Sequence, residues 1–210
     1  MSKKYKISLS IIGVFLVLAI GLLVYVKFFN KTSDYKKPIV KTSVLDKMDK
    51  YGYSLEDRDT KLFKDTYYEL KDVLESDNID YKIYGEKLSE LFVIDLFTIS
   101  NKISKYDVGG LDYLYDSEKE MFKSKVMDTL YDQVEDNSYD TREQKLPTVK
   151  SVTVNDVKET NYTVNDKKLN GYIYSIFVEY EEDLGYDTNC NITAVIDDNV
   201  MYIVEYTATK

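Results

Sequence analysis

The feature that most constrains this chain is the run Ile7 to Val26, ISLSIIGVFLVLAIGLLVYV, which contains no charged residue. At 1.5 Å of rise per residue it makes a helix of about 30 Å, the thickness of a bilayer's hydrocarbon core, and it exceeds the apolar region of most cleaved leaders. Ser8, Ser10 and Gly13 are compatible with a span, because a helix in lipid satisfies its own backbone groups. No small-residue cleavage site follows at Tyr25 to Phe29, and the only cysteine, Cys190, is far from where a lipid-modified one would stand. Leu146 to Lys150 begins like a wall-sorting signal, but no second apolar tail follows it. The run therefore predicts a retained single-pass anchor inserted in the lipid bilayer.

Orientation follows from the ends of the run. Lys3, Lys4 and Lys6 precede it, and Lys27, Lys31, Lys36, Lys37 and Lys41 follow, so a bare count of positive charge is undecided. The short, dense positive head before an apolar run is the pattern of a signal anchor, which leaves the head inside. The expected organisation is a cytoplasmic tail at 1–6, a transmembrane anchor at 7–29, a juxtamembrane linker at 30–45 and an extracytoplasmic domain at 46–210, all held at the cell membrane. Pro38 and the polar residues around it make the linker a poor helix.

Charge separates these parts. Through Lys41 the chain carries eight lysines and one acid, Asp34; the rest carries 20 basic and 36 acidic residues. A domain so acidic excludes nucleic acid as a partner, since that binding depends on neutralising phosphates with Lys and Arg. One cysteine excludes an internal disulfide, so the fold must stand on its core, with Cys190 buried in it. With 21 tyrosines, no His and no Trp, the composition is that of an AT-rich genome, which lowers the weight of the tyrosines as a binding surface. The N-x-Thr triplets at Asn30, Asn161 and Asn191 carry no weight for the same reason.

Val44 to Leu55 fits more than one pattern and is read as a helical stalk giving way to an extended piece around Tyr51 to Tyr53. Thr60 or Asp59 can cap a helix to about Glu75, with Leu62, Phe63, Tyr67, Leu70, Val73 and Leu74 on one face. Asp80 can cap a second helix from Tyr81 to about Lys102. Its stripe of Tyr84, Leu88, Leu91, Phe92, Leu96, Ile99 and Ile103 is widened by Val93, Ile94 and Phe97, as a central helix requires. After Gly109 and Gly110, a third helical region is expected from Leu111 to about Val134, broken near Asp116 and Ser117. Its buried positions would be Met121, Phe122, Val126, Leu130 and Val134. From Leu146 the apolar period changes from about 3.6 to 2, and β-branched and aromatic residues take over. Four strands are expected near Val149 to Thr160, Lys168 to Glu181, Thr188 to Asp197 and Val200 to Thr207, with hairpin turns at Asn165, Asp166 and at Asp198, Asn199. The fold class is α+β: about three helices packed on a four-stranded antiparallel meander.

An anchor, then helices, then a curved meander closing on a central helix over Thr60 to Thr207 resembles the nuclear transport factor 2-like superfamily, in particular the bitopic scaffold proteins of conjugation and type IV secretion. The runs YGYSLEDRDTKLFKD and LFVIDLFTISNKISKYDVGG are similar to those of uncharacterised membrane proteins of low-GC Gram-positive bacteria. The resemblance implies a cone-shaped domain that engages protein partners in the cell envelope. It carries over no functional residue.

Residue inventory excludes most standard active sites. Without histidine there is no Ser-His-Asp or Cys-His pair and no histidine metal ligand, and one cysteine makes no thiolate cage. No cofactor is expected, since the eight glycines are dispersed apart from Gly109 and Gly110 and form no phosphate-cradling loop. Asp136, Ser138 and Asp140 imitate the start of a calcium loop, but Thr141 replaces its glycine and Pro147 its bidentate acid. Ser33 and Lys36 have dyad spacing in a linker that offers no pocket. Arg58, between Asp57 and Asp59, reads as a local ion-pair cluster.

Asp95 is the one chemically unusual position. It interrupts Leu91, Phe92, Val93, Ile94, Asp95, Leu96, Phe97, which puts a carboxylate on or beside the buried face of the central helix. Desolvation there would suit a general acid or base in a pocket; the structural alternative is a carboxylate that fixes packing by accepting a hydrogen bond. The sequence as a whole favours a membrane-tethered interaction or assembly module with a protein partner in the envelope and no catalytic residue. The alternatives are a sensor or carrier holding a small apolar ligand, and an enzyme using Asp95.

Overall fold

The structure, a computed structural model, describes residues 41–164 and 166–209. All belong to one of the two units into which the chain divides, Ile39–Lys210. The expected tail, the apolar run Ile7 to Val26, most of the linker and Asn165 of the first hairpin turn lie outside the described residues. Among the described residues, no helix is long and apolar enough to cross a membrane.

The fold is α+β. Strands β1 (Val44–Met48) and β2 (Tyr53–Glu56) form an antiparallel pair, followed by helices α1 (Lys61–Leu74), α2 (Tyr81–Phe97) and α3 (Asp116–Met127). A second sheet of β3 (Val149–Val164), β4 (Lys167–Tyr180), β5 (Asn189–Asp197) and β6 (Val200–Ala208) is an antiparallel meander in the order β3-β4-β5-β6.

Helix α2 is the centre of the molecule. Leu88, Leu91, Phe92 and Val93 are each fully buried, because α1 packs on one side of it and the four-stranded sheet on the other. A helix covered on both sides must be apolar around its circumference, which is why its stripe is so wide. Both helices begin on the caps their sequences offer. Thr60 accepts from the Phe63 amide at 3.2 Å, and Asp80 accepts from those of Lys82 and Ile83 at 2.9 and 3.2 Å. Close contact with the sheet requires Gly85: a Cβ there would lie 2.6 Å from Met201 Cε and 2.8 Å from Tyr174 Cζ.

Three elements differ from the sequence reading. Val44 to Leu55 is a hairpin, not a helical stalk; Gly52, at φ 80°, makes its turn, Tyr53 and Leu55 are buried, and Ser43 donates to Asp57 through both its amide and its hydroxyl. Helix α2 stops at Phe97 instead of Lys102. Beyond it the chain is drawn to the start of β3, where the Ser100 amide donates to Pro147 O at 3.1 Å, and one 3-10 turn, Ile99–Asn101, follows. The third helical region is shorter than Leu111 to Val134: a 3-10 turn at Leu111–Tyr113, extended residues at Leu114 and Tyr115, then α3. Met121, expected in the core, is 67% exposed.

The meander follows the expected pattern. Asp198 and Asn199 take φ 47° and 64°, the left-handed pair that a two-residue hairpin needs, and the Asn199 side chain accepts from Tyr81 OH at 3.1 Å. Strand β3 runs four residues further than expected, so the β3–β4 hairpin projects as a long arm beyond the last β4–β5 pair, Gly171 with Val195.

Candidate functional site

Asp95 sits where α2 ends. One carboxylate oxygen pairs with the Lys102 ammonium, and the other accepts from the Gly110 amide at 2.6 Å. Lys102 is 2% exposed, so Asp95 is the counter-ion of a buried cation. The glycines opposite are moulded to it. A Cβ on Gly109 would lie 2.6 Å from the Asp95 carbonyl carbon, and Gly110, at φ 82°, passes its amide under the carboxylate. The loop from Thr98 to Gly110 is thereby folded back against the helix.

A second ionic group pins the same loop from outside. Arg58 forms a two-pronged ion pair with Asp107, its Nη2 at 3.0 Å from Oδ1, and its Nε donates to Glu56 at 2.6 Å. The partners of Arg58 are thus Glu56 and Asp107, while its sequence neighbours turn elsewhere: Asp57 to Ser43, and Asp59 to the Glu56 amide at 2.7 Å. Burial works to raise the Asp107 carboxyl, but the hydrogen bonds from Arg58 and the Ile103 amide outweigh it and hold the group below the usual carboxylate range. Among the described residues no cation pairs with Asp59; burial pushes it up to about 6, and the nearby Asp95 charge adds to the effect. Arg142 closes the network by donating to the carbonyls of Ser100 and Lys102 at 2.7 and 2.9 Å.

A cleft also borders α2. It is half open, with a volume of about 870 Å³, and it runs between α3 and the outer strand β6. It is lined by Phe92, Leu96 and Phe97 of α2, Met121 and Phe122 of α3, and four consecutive residues of β6, Ile203 to Tyr206, of which all but Glu205 are apolar or aromatic. Tyr162 to Val164 at the end of β3, the opposite outer strand, also line it. The two outer edges of one sheet therefore border one opening. Asp197 helps to hold this arrangement, since Lys167 in the hairpin arm pairs with it and Tyr115 OH, before α3, donates to it at 3.1 Å. The Lys167 hydrogen bond and that of Tyr115 keep the Asp197 carboxyl below its ordinary range, against a smaller opposing effect of burial.

Asp95 is not among the residues that line this cleft. The residues that do come from five separated stretches of chain that no local pattern joins, and Met121, the most exposed apolar one among them, was expected in the core. Cys190, on β5, is buried, and burial pushes its thiol up to about 12. Among the described residues, no three His, Cys, Asp or Glu side chains converge as a metal site.

Fold and cleft together define an acidic α+β domain with a half-open apolar groove bordered by sheet edges. Comparison with family models, with curated proteins and with solved structures finds no match to the chain.

Proposed function

We propose that the protein is a single-pass, membrane-tethered interaction module that presents its acidic domain outside the cytoplasm to a protein partner of the cell envelope. The observation that carries this reading is the cleft: Met121, 67% exposed, and the half-buried Phe122, Val204 and Tyr206 leave apolar surface uncovered on an acidic domain. The lysine-flanked run Ile7 to Val26 supports the tether. The test is crosslinking in intact membranes with surface-reactive reagents, followed by identification of what is joined. A discrete membrane or envelope partner is the expected result; recovery of the protein alone under every reagent sinks the reading.

A second reading, a carrier of a small apolar ligand, is favoured by the volume of about 870 Å³, within the range of about 300–1,000 Å³ usual for ligand pockets. Purification with a stoichiometric apolar small molecule, and no crosslinked partner, would decide for it.

A further inference from the structure

Strand β3 pairs with β4 alone, and the two halves of its outer edge differ. The Val178 amide donates to Thr188 O at 2.7 Å, so the main chain of Val178 faces away from β3. In an antiparallel ladder the main-chain groups of alternate residues face the same side, and those of directly opposed residues outside the hydrogen-bonded pairs face away from each other. Val152, Val154, Val157, Glu159, Asn161 and Thr163 therefore turn their main chain outward. The inner half of this edge is blunted. Lys150 and Asn155 are the extra residues of two bulges, and the Asp156 carboxylate accepts from the outward Val157 amide at 3.0 Å. From Asp156 to Val164 the pairing with β4 is unbroken. There Glu159, Asn161 and Thr163 are exposed, and among the described residues no hydrogen bond reaches their outward main chain. From Thr160 onward this half lies in the arm that projects past the last β4–β5 pair.

The side chains along that half select its occupant. Val157 to Val164 carries one lysine and one glutamate, so it is a neutral stretch on an acidic domain. Its order is self-complementary about Thr160. With a second copy antiparallel and Thr160 opposite Thr160, Glu159 meets Asn161 and the two exchange both main-chain hydrogen bonds, while Lys158 meets Tyr162 and Val157 meets Thr163. No like charges oppose each other in this register. A centre at Lys158 or Glu159 would set like charges face to face, and one at Val157 would bring the bulge at Asn155 and the Asp156 cap into the ladder. A centre beyond Thr160 would set Val157 against the hairpin turn.

We propose that two copies of the chain join through the outer half of β3, antiparallel and centred on Thr160, so that two four-stranded sheets become one of eight strands. The pairing goes beyond the interaction reading above and does not depend on it. The test uses the full chain in detergent, where the native Cys190 is buried and an added cysteine supplies the reactive thiol. Opposed residues of a non-hydrogen-bonded pair have Cα atoms about 4.5 Å apart, within disulfide reach. Thr160→Cys should therefore link two copies under mild oxidation at least tenfold faster than Lys158→Cys or Tyr162→Cys alone, and a mixture of those two variants should link one to the other as fast as Thr160→Cys links to itself. Asn161→Pro removes an outward amide that the β3–β4 ladder does not use. It should leave the Thr160 amide protected from hydrogen exchange and raise the dimer dissociation constant in sedimentation at least tenfold, while Asn161→Ala leaves that constant unchanged. Should Asn161→Pro lose this protection, the pattern of cysteine linkage decides. A chain monomeric at every concentration, disulfides without this register preference, or a dimer that survives Asn161→Pro in a folded chain would each overturn the pairing. A monomer that still crosslinks to an envelope protein would sink this inference and leave the interaction reading standing; a dimer with no such partner would do the reverse.

Discussion

The ammonium of Lys102 is buried, and the partly exposed carboxylate of Asp95 is its counter-ion. Removing one partner of such a pair strands the other charge in a poorly solvating environment, at a cost of about 3 kcal/mol. Asp95→Asn is therefore expected to lower the unfolding free energy by about that amount in urea titrations. Lys102→Met should cost less, because Asp95 keeps the Gly110 amide and some water. The neighbouring Asp59 supplies a pH signature. Its carboxyl has a reference value of 3.8 and titrates at about 6 when folded, so between these limits the folded state binds more protons than the unfolded state. Stability from this group falls as pH rises from about 4 to about 6 and reaches its lowest contribution above that. Asp59→Asn keeps an acceptor for the Glu56 amide, so the variant should match the parent near pH 4 and be the more stable of the two above about pH 6, measured by urea unfolding across that range. Asp95 was conspicuous in the sequence because it broke an apolar run. Its partner was not, because the helix ends at Phe97 and the seven-residue separation no longer describes positions on one helical face.

Helices and strands of this domain were legible where one physical signal dominated. The caps at Thr60 and Asp80, the wide stripe of α2 and the change of period at Leu146 are all local, and each led to an element close to the observed one. The β1–β2 hairpin was not, because β1 is exposed over most of its length and has no alternation to show. Nor was the cleft, whose walls come from stretches as distant in sequence as Phe92 and Tyr206 and meet only in the folded domain. Two element-scale tests follow. Asp80→Ala removes an acceptor shared by two amides and should cost about 1 kcal/mol, more than Thr60→Ala, which removes one amide's acceptor. Gly85→Ala pushes a methyl group into Met201 and Tyr174 and should cost about 1–3 kcal/mol by overpacking, read as a shift in the urea midpoint.

The whole molecule is expected to place its carboxyl terminus outside the cytoplasm. A reporter active only in an exported compartment, fused after Lys210, should be active, and one active only in the cytoplasm should not; the reverse pattern would mean that the lysines after the apolar run had outvoted those before it. Cys190 gives a measure of how tightly the domain holds together: buried, with its thiol pushed up to about 12, it should resist alkylation at neutral pH until denaturant is added.

The β1–β2 hairpin has a mechanical meaning for a chain held at its amino-terminal end. Val44 pairs with Glu56, so the strand that would receive a pull and the strand that leads into α1 meet at the same end of the hairpin. Tension entering from Ser43 would open the bonds one after another, like a zipper, rather than shear them together. The five residues of β1 would pay out about 17 Å of slack before the load reached α2, so the hairpin would act as a soft spring between the amino-terminal segment and the core.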